Sequence, residues 1–263
     1  MDVYSYLEAV RAKQPLVHHL TNWVTIYDCA QVVKSFGASP VMAHAAEEAA
    51  DMAGMASALV LNIGTLTNEM IKSMKIAAKA ANKKSIPVVL DVCGAGATSF
   101  RNRKSFELLD EAHIDIIKGN GSEIARIAGR DVRTRGVDAM DVRGDLREIA
   151  SFLARERGCA VVITGVTDIV ADSGRLFTVA NGHEMMSRVV GTGCMATSAI
   201  GTFAGASPDD PAAAAAAGLC CFEVAAELAV KKSGGPGSFT AQLFDCIFNL
   251  SKMDVDSMQR VGS

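Results

Sequence analysis

"IPVVLDVCGAGATSFR", residues 86–101, decides the fold class. Its first seven residues, 86–92, are an apolar, valine-rich run without polar alternation. That pattern reads as a strand buried on both faces. The run reaches Asp91 and passes into a glycine-rich loop. In open α/β sheets ligands gather beyond the carboxyl ends of the strands. Asp91 is therefore a candidate for holding magnesium or substrate, with a helix cap as the plainer use of the same carboxylate.

Runs of the same kind recur at 15–20 ("PLVHHL"), 58–64 ("ALVLNIG"), 114–120 ("IDIIKGN") and 159–165 ("CAVVITG"). Helical patterns lie between them. The clearest covers 66–84, with Thr67 or Asn68 as cap and lysines near its end; another covers 139–157. The opening "MDVYSYLEAVRAKQP" reads as an amphipathic helix, and 168–182 as a hairpin turning at Ser173-Gly174. Buried strands alternating with helices predict an α/β fold: a central, mostly parallel sheet with helices on both faces. The C-terminal third is helical, with a helix begun at Pro211, a break at "SGGPGSF" (233–239) and a final helix. No repeat or long linker appears, so 1–263 is expected to be one domain.

Composition narrows the function classes. A 263-residue chain with 49% hydrophobic and 21% charged residues has a full core. A net charge of −3 and 5% aromatics argue against nucleic acid as partner. Seven cysteines, none in a C-x-x-C pair, argue against structural zinc and for reduced thiols in the cytoplasm. The most apolar stretches are interrupted before about 18 residues, so no membrane span is expected.

Two further motifs carry chemistry. "RVVGTGCMATSAIGTF" (188–203) sets Gly191-Thr192-Gly193-Cys194 before a helix. Free backbone N–H groups at a helix start suit a phosphate or a developing anion. Cys194 itself reads equally as a packed small residue. Gly191, Gly193 and Ala196 also fit G-x-G-x-x-A, a dinucleotide fingerprint, but more helix rather than a strand follows. No P-loop sequence occurs. In "KGNGSEI" (118–124), Asn120 and Glu123 have capping-box spacing, and Glu123 is also placed to hold magnesium through water. "VITG" (162–165) adds a strand end at Thr164. Adjacent His18 and His19 point to opposite faces of a strand, which disfavours one shared metal.

Taken together, "GTGC", Asn120 to Glu123 and "LDVCGAGAT" resemble the ribokinase-like superfamily of small-molecule kinases. "PLVHHLTNWVT" (15–25), "GASPVMA" (37–43) and "GPGSF" (235–239) are similar to segments of the hydroxyethylthiazole kinase family. The resemblance spans about residues 10–250. It implies phosphorylation of 4-methyl-5-(2-hydroxyethyl)thiazole by MgATP, in a homotrimer with active sites at subunit interfaces. It implies that Asn22, Val24 and Met42 line the thiazole pocket, with Gly64 supplied by a neighbouring subunit and Gly191 touching substrate. Lys118 and Thr164 would bind nucleotide phosphates, and Asp91 and Glu123 would organise magnesium. Gly193 and Thr192 would form the anion cradle, with Cys194 as base or hydroxyl-orienting group. Two departures stand out. Lys118 replaces an arginine, keeping the charge but losing the bidentate fork. Val92-Cys93 replaces Pro-Val, removing a rigid turn. The alternatives are a hydroxymethylpyrimidine kinase, a dinucleotide-dependent oxidoreductase and a non-catalytic thiazole- or nucleotide-binding module.

Overall fold

The computed structural model describes residues 1–130 and 145–263. In chain order the strands are β1 (Leu16–Leu20), β2 (Ser39–Val41), β3 (Ala58–Asn62), β4 (Val88–Asp91), β5 (Ile116–Asn120), β6 (Ala160–Thr164), β7 (Asp168–Ala171), β8 (Leu176–Val179) and β9 (Val261–Gly262). The α-helices are α1 (Val3–Lys13), α2 (Ile26–Ser35), α3 (Ala49–Met55), α4 (Asn68–Lys84), α5 (Ser99–Glu111), α6 (Gly121–Ile127), α7 (Leu146–Arg157), α8 (Thr192–Ala206), α9 (Pro211–Val230), α10 (Pro236–Phe248) and α11 (Lys252–Met258).

One nine-stranded sheet orders the strands β2-β1-β3-β4-β5-β6-β7-β8-β9. The first six of these pair parallel, and β7, β8 and β9 add on antiparallel. Alternate strand residues enter two separate cores. Val17, Val60, Val89 and Ile116 pack beneath α1, α2, α8, α9 and α10. Leu59, Leu61, Leu90 and Ile117 pack beneath α3, α4, α6 and α7. The expected α/β architecture, a mostly parallel sheet covered by helices on both faces, is what forms.

All five buried strands expected from the sequence form, shortened at their ends. Thr67, not Asn68, caps α4 by accepting from the Met70 N–H. The hairpin of β7 and β8 turns where Ser173-Gly174 predicts. The helix expected over 139–157 is α7 from Leu146 onward, and its first part lies outside the described residues. Two corrections concern the C-terminal third. The break at 233–239 is shorter than expected, because Pro236 takes the first position of α10, where its missing N–H costs nothing. Two helices follow the break rather than one, since Ser251 and Asp254 form a capping box that starts α11. Strands β2 and β9 are too short to produce a periodic signal.

Helix α9 is long and apolar enough to cross a membrane by length and composition, but 83% of its most apolar window is buried in the fold. It is a core helix. Helix α8 lies flat on the sheet because Gly201 has no side chain: a Cβ there would stand 2.3 Å from Val60 Cγ2. That close seating delivers the first turn of α8 to the carboxyl ends of β3, β4 and β5.

Candidate active site

Asn62, Asp91 and Lys118 are in-register neighbours across β3, β4 and β5. Their side chains stand in a row on the face covered by α8. Asp91 is buried and caps no helix. Its Oδ2 accepts from Thr197 Oγ1 (2.6 Å), Asn62 Nδ2 (2.9 Å) and Lys118 Nζ (3.2 Å). Its Oδ1 has no partner among the described residues. Burial by itself lowers Lys118, but Asp91, Cys194 and Glu123 outweigh it and raise the ammonium above its ordinary range. Lys118 is thus a fixed cation. Its Nζ also lies 3.4 Å from the place a Cβ on Gly193 would occupy, so it faces the first turn of α8.

Glu123 serves both readings of its motif. It completes the capping box with Asn120, and its Oε1 accepts from the Gly94 N–H at 2.6 Å. Burial first, and the neighbouring Asp91 second, push its carboxyl up to about 7. The 91–97 loop lacks the proline of the resembling family but is tied otherwise. Arg101 donates to the carbonyls of Ile63 (2.7 Å), Gly64 (2.7 Å) and Cys93 (3.0 Å). Sequence reading missed Arg101, which its position inside α5 disguises as a surface charge.

The loop before α8 is built on Gly191, whose φ of +90° is left-handed. The backbone N–H groups of Thr192, Gly193 and Cys194 open the helix and lack intrahelical acceptors by position. The hydroxyl of Thr192 donates to the Met186 carbonyl at 2.9 Å, so it is the backbone of Thr192 that belongs to the cradle. Cys194 is half-buried, and all seven cysteines are free thiols. A hydrogen bond from Cys93 and the nearby Lys118 hold the Cys194 thiol below its ordinary range, against burial and the Asp91 charge. The same hydrogen bond, together with burial, raises Cys93.

On one side of this cradle opens a cavity of about 700 Å³, lined by Thr164, Asp168, His183, Gly193 and Glu223 among others. Thr164 donates weakly to the Gly119 carbonyl at 3.4 Å. Two carboxyls of the cavity wall, Asp168 and Glu223, are both raised. Burial leads in each case, and the charge of Asp168 raises Glu223 further. Asp168 Oδ2 and Glu223 Oε2 are both buried without a hydrogen-bond partner among the described residues. Neither residue was legible in the sequence, since Glu223 sits mid-helix in an alanine-rich run.

On the other side lie the residues expected to hold the thiazole. Asn22 is buried, Met42 and Gly64 are half-buried, and Val24 is exposed. Asn22 is wholly engaged by its own chain. Its Oδ1 accepts from the N–H groups of Val24 and Thr25, and its Nδ2 faces Asn62 and Cys194. Gly64 stands against Asn22 of the same chain, with its Cβ position 3.0 Å from Asn22 Cβ. Within one chain, then, Gly64 and Asn22 form one cluster. His18 and His19 are core residues on opposite faces. His18 Nε2 pairs with the Ala43 carbonyl (2.8 Å) and His19 Nε2 with Ser198 Oγ (3.1 Å).

Among the described residues no three His, Cys, Asp or Glu side chains cluster as a metal site. A divalent cation here would have one or two carboxylates and complete its shell with water and phosphate oxygens, which is magnesium's habit. The unpartnered, buried Oδ1 of Asp91 fits that use.

Comparison with known proteins shows the family. The family model described as the hydroxyethylthiazole kinase family matches residues 7–253. The chain is 54% identical to the hydroxyethylthiazole kinase of Methanosarcina mazei over 97% of both chains. The solved hydroxyethylthiazole kinase structure from Pyrococcus horikoshii superimposes with a TM-score of 0.90 at 37% identity, covering 99% of this chain and 98% of that one. A ribokinase-like superfamily protein of Enterococcus faecalis, 13% identical, shares the fold with a TM-score of 0.65, over 92% of this chain and 89% of that one.

Proposed function

The chain belongs to the hydroxyethylthiazole kinase family, and we propose the following account of how its residues carry out the reaction. The enzyme is a phosphotransferase that moves a phosphoryl group from ATP to the hydroxyl of 4-methyl-5-(2-hydroxyethyl)thiazole in thiamine biosynthesis. One kinase domain spans 1–263. The observation that carries the account is the convergence of three groups: the first turn of α8, the Lys118 ammonium and the Cys194 sulfur.

Phosphoryl transfer needs positioning and charge stabilisation more than covalent chemistry. The backbone donors of Thr192, Gly193 and Cys194, with Lys118, face the transferring phosphoryl group. Thr164 binds nucleotide phosphates at the near end of the 700 Å³ cavity, where Gly193 forms the wall. Asn22, Val24, Met42, Gly64 and Gly191 surround the thiazole side. Asp91, through its Oδ1, and Glu123, through water, would hold magnesium. That ion would draw charge from the phosphate oxygens. Cys194 orients the acceptor hydroxyl and takes up its proton.

Assays of ADP release with MgATP are expected to show turnover on the thiazole alcohol. Turnover on hydroxymethylpyrimidine should be at least about 100-fold lower, the scale on which a shaped pocket discriminates. Equal turnover would point to the pyrimidine kinase reading. Cys194→Ala is expected to lower kcat about 10²-fold, the low end for general bases. Cys194→Asp should keep more of it, and an equal loss in both variants would remove the base role.

The enzyme acts as a cytoplasmic homotrimer. Free cysteines support the compartment. The trimer is supported by apolar exposure beside the substrate residues: Trp23 is 56% exposed, Val24 65% and Tyr27 68%. These three flank Asn22, so a neighbouring subunit covering them would close the thiazole pocket. Sedimentation equilibrium at micromolar concentration should read three chains; a monomer would contradict the interfacial site.

A further inference from the structure

Asn62 closes β3 and is 1% exposed. Both side-chain heteroatoms are engaged. Its Oδ1 accepts from the Gly64 N–H (2.8 Å) and from Asn22 Nδ2 (3.1 Å). Its Nδ2 donates to Asp91 Oδ2 (2.9 Å) and to Cys194 Sγ (3.3 Å). Asn22 is pinned in the same way. Its Oδ1 accepts from the N–H groups of Val24 and Thr25 and from the Thr25 hydroxyl, each at 3.1 Å. Its Nδ2 is left for Asn62 and for Cys194 Sγ, again at 3.3 Å.

These partners decide which end of each amide is nitrogen. Backbone N–H groups can only donate, so the atoms facing Gly64, Val24 and Thr25 must be oxygens. Both NH₂ groups are then compelled to face the sulfur, and neither amide can flip without orphaning a backbone donor. Each NH₂ has two hydrogens and gives one to oxygen and one to sulfur. A sulfur facing two fixed donors is cast as an acceptor, and donors to a charged form favour that form. The other groups facing this sulfur are Asp91 on β4, Cys93 after β4, Lys118 on β5 and Thr25 before α2. Asn62 also stands between the Cys194 sulfur and the Asp91 carboxylate, two acceptors that would repel in direct contact.

We propose that Asn62 is a positioning residue of the transfer: with Asn22 it docks the Cys194 sulfur through two fixed amide donors and ties it to Asp91. This rests on Cys194 lying beside the acceptor hydroxyl, and the experiment separates the two claims.

Asn62→Asp keeps the shape and the acceptor for Gly64 but removes both N–H donors. Asn62→Ala removes the side chain and serves as the second variant. Alkylation of Cys194 by iodoacetamide is followed across pH by peptide mass spectrometry in protein free of metal and nucleotide. Both variants are expected to move the alkylation midpoint upward by about one pH unit, the scale of a lost hydrogen bond to a charged group. Both should lower kcat at least about 30-fold with KM for ATP within about threefold. An unmoved midpoint, or a lower melting temperature with kcat intact, overturns the proposal. If Cys194→Ala impairs turnover while both Asn62 variants do not, this proposal alone falls. If Cys194→Ala is also fully active, the reading of Cys194 falls with it.

Discussion

Lys118→Met is expected to leave about one-thousandth of the wild-type turnover, in line with removing one donor aimed at developing charge. Lys118 is 4% exposed, and its ammonium lies 3.2 Å from Asp91. Water cannot replace a cation in that setting. Nucleotide binding should weaken far less than turnover, because the backbone donors of α8 and Thr164 remain. The variant should also lose stability, by about 3–5 kcal/mol, since it leaves the Asp91 carboxylate buried without its counter-ion. The double variant Lys118→Met/Asp91→Asn separates the two effects. It should regain much of the melting temperature and none of the activity. Saturating-ATP kinetics and thermal denaturation measure both quantities, and turnover within tenfold of wild type would remove Lys118 from the chemistry.

Gly191→Ala is the second large effect. The residue holds φ at +90°, and an added Cβ would lie 2.2 Å from Thr25 Cγ2. Thr25 cannot step aside cheaply, because its N–H and hydroxyl both donate to Asn22 Oδ1. Either the first turn of α8 shifts or the Asn22 cluster breaks, and each displaces the Cys194 sulfur. A kcat loss of about 10²-fold follows from a misplacement near 1 Å, with a stability loss of about 1–3 kcal/mol from the strained φ. Gly193→Ala is the informative contrast. Its Cβ would meet only the Lys118 ammonium, at an ordinary 3.4 Å, so its fold should remain intact. Equal melting temperatures for the two variants would contradict the strain argument.

Much of the fold was legible in the chain because its signals are local. Ile86 to Val92 and its four counterparts announce buried strands by composition alone, and Thr67 and Pro211 punctuate helices by backbone chemistry. Where reading failed, the signal was too short or too ordinary. β2 has three residues and β9 two, below any period. Pro236 served as a helix start where it read as part of a break.

The candidate site was legible only in part. Asp91, Lys118 and Glu123 stand at strand ends or helix starts, where residue type and position together imply chemistry. The pair of Asp168 and Glu223 was not, because a carboxyl becomes unusual only once its burial and its neighbours are known.

Sequence by itself determined the five buried strands, the mostly parallel α/β class, the glycine turn at 191–194 before a helix and the family resemblance. Each of these is written within a few dozen contiguous residues. Tertiary structure alone decided which strand ends meet. Asn22 reaches Cys194 across 172 positions and Asn62 reaches it across 132. An amide acquires its role from the donors that surround it, and those donors come together only when β1, β3 and the first turn of α8 close on one another.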